Sequence, residues 1–324
     1  MLRRRLLLFA ALGTVIPGAL GQSREGVRRI AILEQGNSAM RAEQWRVFDR
    51  QLRDHGYVEG RNLVVERRWA DGVDSRLPQL AQELLAGNPE VVIAITTPAT
   101  QSLRRLTNKV PIVMAAVADP VAAGLVASLS HPGGNVTGIS LDLGSVIRKR
   151  LELLREIMPK ARHVGLIGPG SNLGVQVALK QAQEAGKLLG VEVKLIEATS
   201  DSASIARAFE QLRPGELDAL LATQVMLQHN QLLIELAAQK KLPAAFVDRE
   251  ALDSGAVLVF GPERNAPFVH AADYVHRILK GASPADLPVI QPTQYWLGVN
   301  LKSARALGIK VPSAVLLRAD QVIE

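Results

Sequence analysis

Cysteine is absent from the whole 324-residue chain. Its absence excludes disulfides, thiolate metal sites, thiol nucleophiles and lipid attachment at a lipoprotein cysteine. Aromatic residues make up only 4% of the sequence, which disfavours the stacked-ring floor of a sugar cleft. The six histidines, His55, His131, His163, His229, His270 and His276, include no pair at i, i+4 spacing, so no helical zinc motif is present. Neither a G-x-S-x-G elbow nor a G-x-x-x-x-G-K-[ST] phosphate loop occurs. Lysines and arginines are dispersed rather than gathered into a stripe, which argues against a nucleic-acid partner. With no catalytic constellation left, the sequence speaks for no enzyme, no metal and no organic cofactor.

What is present begins at the N-terminus. Three arginines in Met1-Leu-Arg-Arg-Arg5 precede an apolar run, 6–20, interrupted only by Gly13, Thr14, Pro17 and Gly18. This is the layout of a secretory signal, and it is shorter than the roughly 20 apolar residues of a membrane-spanning helix. Ala19 and Gly21 supply small residues at the third-last and last positions before a cut after Gly21. The sequence therefore predicts a leader over 1–21 and a mature chain starting near Gln22. Arg3-Arg4 leaves both the Sec and the twin-arginine routes open. The expected destination is the periplasm, as a soluble protein that is not a lipoprotein. Removing the leader's three arginines lowers the formal charge from +7 to +4.

A mature chain of this length exceeds what one core usually serves, so two lobes are expected. Short β-branched runs alternate with amphipathic stretches, the signature of parallel strands joined by helical crossovers. Strands are expected at 29–34, 63–69, 91–95, 112–116 and 136–139, with helices near 41–55, 75–85, 99–106 and 120–129. A second series follows a long helix at 145–157. Its strands are expected at 163–167, 192–197, 219–222, 244–247 and 257–260, with helices near 174–189, 202–212 and 229–240. A helix over 265–280, a strand over 295–300 and a short helix over 301–307 complete the chain. The fold class is therefore α/β: two doubly wound parallel-sheet lobes joined by three hinge crossings, near 140–144, 261–263 and 284–293. The first lobe is expected to take residues 22–141 and 262–284, and the second 142–261 and 285–324.

In open α/β sheets ligands bind beyond the carboxyl ends of the strands. The loop after the first strand, Glu34-Gln-Gly-Asn-Ser38, offers Gln35, Asn37 and Ser38. After the third strand, Thr96-Thr97-Pro98 places hydroxyls at a helix cap with proline in the first turn. Free N–H groups and the helix dipole there suit a carboxylate, with plain capping as the alternative use. Asp119-Pro120 also reads as a cap, and Asp119 joins the candidates from the fourth loop. In the second series, Gly168-Pro-Gly170-Ser-Asn-Leu-Gly174 offers Ser171 and Asn172. With Glu197 this loop resembles a dinucleotide fingerprint, but the spacing is G-x-G-x-x-x-G and Pro169 stiffens it, so close approach to a small ligand is the better use. Asp248 follows strand 244–247 and would meet a ligand ammonium, unless Arg249 takes it in a surface salt bridge. Glu263, at a crossing, is a competing acid.

Segments spread over the mature chain resemble a single family. They are His55-Gly-Tyr-Val-Glu-Gly-Arg-Asn62 with Val65-Glu-Arg-Arg-Trp-Ala70, Asp119-Pro-Val-Ala-Ala-Gly-Leu-Val126, and His131-Pro-Gly-Gly-Asn-Val-Thr-Gly138. Further along come Lys149-Arg-Leu-Glu-Leu-Leu154, Ile278-Leu-Lys-Gly-Ala282, Asp286-Leu-Pro288, Gln291-Pro-Thr293, Asn300-Leu-Lys302 and Ala306-Leu-Gly308. These are similar to ABC transporter substrate-binding proteins related to tryptophan-type uptake proteins. The resemblance implies a type I periplasmic-binding-protein fold that closes on a small molecule, an amino acid or related small carboxylate. It also implies delivery to an ABC transporter permease in the inner membrane. Two departures fall in the second lobe. Where the family often has Asn-Pro, this chain has Gly168-Pro-Gly-Ser-Asn172. Where the family is commonly aromatic-rich, it reads Thr223-Gln-Val-Met-Leu-Gln228. Gln224 thereby becomes a ligand candidate, and Met226 and Leu227 favour an aliphatic or compact ligand over a large aromatic one. A metabolite-sensing subunit for a membrane receptor is the alternative with the same fold, and a dinucleotide-dependent α/β enzyme is another. The protein is expected to act as a monomer.

Overall fold

Residues 26–324 are described by a computed structural model. The expected leader over 1–21 lies outside these described residues. The chain opens with β1 (Arg28–Glu34), α1 (Ala42–Asp54), β2 (Leu63–Trp69), α2 (Leu77–Ala86), β3 (Val91–Ile95), α3 (Thr97–Leu106), β4 (Ile112–Val117) and β5 (Val136–Ser140). These five strands pair in parallel in the order β2-β1-β3-β4-β5. Continuous apolar runs make β3 and β4 buried throughout, as strands covered on both faces must be. Alternation along β1 sends Ile30 and Ile32 to a core with Trp45, Phe48 and Leu52 of α1. Ala31 and Leu33 face the other way, onto Leu77 and Leu84 of α2 and Leu103 of α3.

The second lobe starts with α4 (Leu143–Ile157), β6 (His163–Gly168), α5 (Leu173–Leu189), β7 (Glu192–Glu197), α6 (Ser202–Gln211) and β8 (Ala219–Ala222). It continues with α7 (Asn230–Gln239), β9 (Ala244–Phe246), α8 (Glu250–Asp253) and β10 (Leu258–Pro262). After α9 (Ala266–Leu279) come β11 (Tyr295–Asn300), α10 (Leu301–Ala306), α11 (Ser313–Leu316) and β12 (Gln321–Ile323). The sheet order is β12-β11-β10-β9-β8-β6-β7. The last two strands depart from the expected parallel arrangement: β11 runs antiparallel to β10, pairing Tyr295 with Pro262 and Val299 with Leu258, and β12 follows β11 in parallel. The cause is topological. The chain leaves the second lobe at the end of β10 and returns at that same end, so the returning strand must run back.

Between those two strands, α9 belongs to the first lobe. Phe268, Ala271, Ala272, Val275 and Ile278 of α9 pack into the core shared with α1. Residues 285–290, placed in the second lobe by sequence, lie beside β5 instead. The Ile290 N–H donates to Gly138 O at 2.9 Å, and the Ser140 N–H donates to Ile290 O at 2.9 Å. A sheet edge holds unpaired backbone groups, and this segment satisfies those of β5. The chain therefore crosses between lobes at 141–143, 262–265 and 291–294.

The helix expected over 120–129 is not formed. Asp119 Oδ1 accepts from the N–H groups of Val121 (3.1 Å) and Ala122 (3.0 Å), which starts a turn. Gly124, at φ 67°, ends it before a helix can propagate. The long helix α4 buries Val146, Ile147, Arg150, Leu151 and Leu154, a stripe at intervals of three and four that includes one cation.

Candidate functional site

Each sheet reverses its strand order once, between β1 and β3 in the first lobe and between β6 and β8 in the second. At such a point neighbouring loops depart to opposite faces and leave a crevice at the strand ends. The loops after β1 and β3 bring Gln35, Thr96 and Thr97, and those after β6 and β8 bring Asn172, Thr223 and Gln224, to one chamber. Arg41, Ala116, Ile147, Arg150 and Val247 border it too. A second chamber shares Arg41, Ala116, Thr223, Gln224 and Val247 with the first. It adds Leu227, Phe246, Asp248, Glu263, Arg264 and Phe268.

The sequence candidates divide accordingly. Gln35, Thr96, Thr97, Asn172 and Gln224 border the first chamber. Gln224, Asp248 and Glu263 border the second. Four others border neither. Asn37 spends its carboxamide oxygen on the N–H groups of Ala39 (3.1 Å) and Met40 (3.0 Å), and Ser38 is exposed beyond that turn. Ser171 is exposed, because Asn172 caps α5 and turns inward in its place. Asp119 holds its own turn and accepts from Gln181 Nε2 of the second lobe at 3.0 Å. The dinucleotide reading fails on Glu197, whose two carboxylate oxygens both accept from the Gly170 N–H at 2.9 and 3.0 Å. Met226 lies in the core of the second lobe with Ile167, Phe209 and Leu233, so it does not limit ligand size.

Backbone strain gathers at the same place. Thr96 sits at φ 82° and ψ 163°, a conformation natural only to glycine, and Ala116 has φ 58°. The register of β4 against β5 shifts between Met114 and Val117, which forces Ala116 out of the strand geometry. The Thr96 hydroxyl is buried with no hydrogen-bond partner. Its carbonyl accepts from both the N–H (3.2 Å) and the hydroxyl (2.8 Å) of Thr100, which fixes the start of α3.

Three charged assemblies surround the chambers. Glu34, fully buried at the end of β1, accepts from Arg41 Nη1 at 2.6 Å and from Trp45 Nε1 at 3.0 Å. Burial raises its carboxyl above the usual carboxylate range, with Arg41 and Trp45 opposing the shift. Asp248 pairs with Arg264 Nε at 3.1 Å, not with the expected Arg249, which instead lies over the ring of Trp296. Burial raises the Asp248 carboxyl also, against the attraction of Arg264. Arg150 differs from both. It is 1% exposed, and its Nη1 donates to Ala222 O (2.9 Å) at the end of β8 and to Ala245 O (3.3 Å) within β9. Burial with no carboxylate beside it brings the guanidinium down to about 9, so it remains cationic at neutral pH.

Neither Arg41 nor Arg150 is marked by loop composition. The available signal for Arg150 is its place in the buried stripe of α4, where a charge needs a reason to be.

Across residues 30–323 the chain matches the family described as ABC transporter substrate binding protein. The chain belongs to this family. As an ABC transporter substrate-binding protein it is a solute binder, not an enzyme. A tyrosine-binding protein from Clostridioides difficile (strain R20291) is 29% identical over 269 residues, covering 82% of this chain and 77% of the relative. A conserved domain protein from Vibrio cholerae has a crystal structure with a TM-score of 0.84 and 28% identity, covering 91% of this chain and 99% of that one. An ABC domain from Streptococcus pneumonia in complex with L-Trp shares the fold at a TM-score of 0.80 and 24% identity, covering 91% and 100%. The ligand-free, open structure of a substrate-binding protein with adhesive properties from Clostridium difficile gives 0.65 at 25% identity, covering 92% and 99%.

Proposed function

We propose that this substrate-binding protein, exported to the periplasm, captures an amino acid or related small carboxylate between its lobes and delivers it to an ABC permease in the inner membrane. The observation that carries the reading is the chamber at the two facing switch points, bordered by the strained Thr96, whose hydroxyl has no partner, at the start of α3. The ligand carboxylate sits at the unpartnered Thr96 hydroxyl and the Thr97 N–H, where the positive end of α3 meets it; the Thr96 N–H is already given to Ala115 O at 3.1 Å. An ammonium lies toward Asp248 in the adjoining chamber. The relatives named for tyrosine binding and solved with L-Trp support an amino acid as cargo.

Binding works through a hinge equilibrium in which the ligand favours closure by its contacts to both lobes. Two contacts between lobes support a closed arrangement here: Asn172 Nδ2 donates to Asp74 Oδ2 at 3.1 Å, and Gln181 Nε2 donates to Asp119 at 3.0 Å. The better fit to the tryptophan complex than to the ligand-free, open structure agrees with it. The test is isothermal titration of the mature protein with amino acids and small acids, on wild type, Thr97→Val and Asp248→Ala. Unchanged affinity in both variants would remove the assignment.

A further inference from the structure

Among the described residues, the one cation bordering the chamber without a carboxylate partner comes from the second lobe. Arg150 directs Nη1 at two sheet carbonyls. Its other edge, Nε and Nη2, makes no hydrogen bond, and Nε is buried. That edge of a guanidinium is a planar two-donor fork matched to the two oxygens of a carboxylate. Placed in a low-dielectric wall with no countercharge, it leaves a cost that only an incoming anion can offset.

Building on the proposed capture of a small carboxylate, we infer that Arg150 is the second lobe's anion anchor. The ligand's carboxylate bridges Arg150 on one side of the cleft and the start of α3 at Thr96 on the other. Two lone features, each incomplete by itself, complete one another: an unused fork in one lobe and an unpartnered hydroxyl in the other border the same chamber. Arg41 does not serve this role, because Glu34 already neutralises it at 2.6 Å. The charge requirement follows directly. A ligand whose carboxylate is replaced by a neutral amide loses the contact that draws the second lobe down, whatever its side chain. Closure is thus selective for an anionic group before it is selective for shape.

The experiment compares acids with their neutral counterparts. The mature protein is screened by thermal unfolding and calorimetry against the proteinogenic L-amino acids and short mono- and dicarboxylates, each beside its primary amide. Wild type should prefer the acid by at least ~30-fold, the scale on which truncating one side of a buried charge pair acts. Arg150→Gln should bring acid affinity down to that of the amide while the unliganded protein remains folded. Arg150→Lys, which keeps the charge but not the fork, should keep the preference for acid at reduced affinity. If Arg150→Gln binds the acid as wild type does, the anchor is refuted while capture of a carboxylate stands. If wild type binds acid and amide equally, the anchor is refuted even should both variants fail to fold. If no carboxylate in the panel binds at all, the anchor and the proposed function fall together.

Discussion

Replacing Thr96 by glycine should stabilise the unliganded protein while weakening it as a binder. At φ 82° and ψ 163° the threonine occupies a region that costs about 1–3 kcal/mol for a side-chain-bearing residue. Glycine adopts it freely but loses about 0.5–1 kcal/mol through the flexibility of the unfolded chain. The buried hydroxyl without a partner adds about 1–3 kcal/mol of uncompensated desolvation, and loss of the side-chain methyl returns about 0.8 kcal/mol. The balance is a gain of about 2 kcal/mol for Thr96→Gly. Thr96→Ala separates the two causes, because it removes the hydroxyl but keeps the strain. It should gain less than glycine by the strain minus glycine's flexibility cost, a difference of about 1 kcal/mol. Urea unfolding of the unliganded proteins, followed by circular dichroism and by tryptophan fluorescence, measures this and checks that the transition is two-state. Both variants should lose about tenfold or more in affinity for an anionic ligand, the value of one hydrogen bond to a charged group. Thr96→Gly proving less stable than wild type, or no more stable than Thr96→Ala, would refute the strain.

Glu34→Gln strands the Arg41 guanidinium in the first core and should cost about 3–5 kcal/mol in urea unfolding, although the glutamine fills the same volume. Gly138→Ala should be as severe by a different route: its Cβ would stand 2.1 Å from the backbone oxygen of Met114, at φ 132°, and a loss of about 3 kcal/mol or more is expected. The pH dependence has a definite sign. Burial raises the Asp248 carboxyl in the folded state, so its contribution to stability is fully present below the unfolded value and is lost as pH rises through the raised folded one. Asp248→Asn should remove that slope from unfolding midpoints measured across the acidic range. Over the same range wild type should release an ammonium ligand at a higher pH than an ordinary carboxylate would require, as titration calorimetry at stepped pH would record.

Much of this arrangement is written in local pattern. The apolar runs at Val91–Ile95 and Ile112–Val117 read as buried strands because both faces of the sheet are covered. Once the strands are known, the rule that ligands meet strand ends leads to Gln35, Thr96, Thr97 and Asn172, while Gln224 is reached through the family resemblance. What local pattern does not carry is the facing of a side chain within a loop. Ser38 and Ser171 have the right chemistry within a few residues of cleft residues, but the turn at Asn37 and the cap at Asn172 direct them outward. Strand direction escapes for a similar reason. Tyr295–Asn300 has the composition of a strand, yet its reversal depends on where the chain re-enters the lobe. The failed helix after Asp119 turns on one left-handed glycine, Gly124. Arg150 was within reach: it stands three residues beyond Ile147 and four before Leu154, in the middle of an apolar stripe, and only its charge suggested solvent.

The place of α9 bears on how the molecule comes into being. The first lobe's sheet is made early, but the helix that covers one of its faces is made only after nearly the whole strand series of the second lobe. Until Phe268, Ala272 and Val275 arrive, Ile30, Ile93 and Val113 have half a core. The second lobe waits in turn for β11, which follows that helix. Neither half can therefore finish folding ahead of the other. A chain built in this order completes either core only when almost all of it has been made.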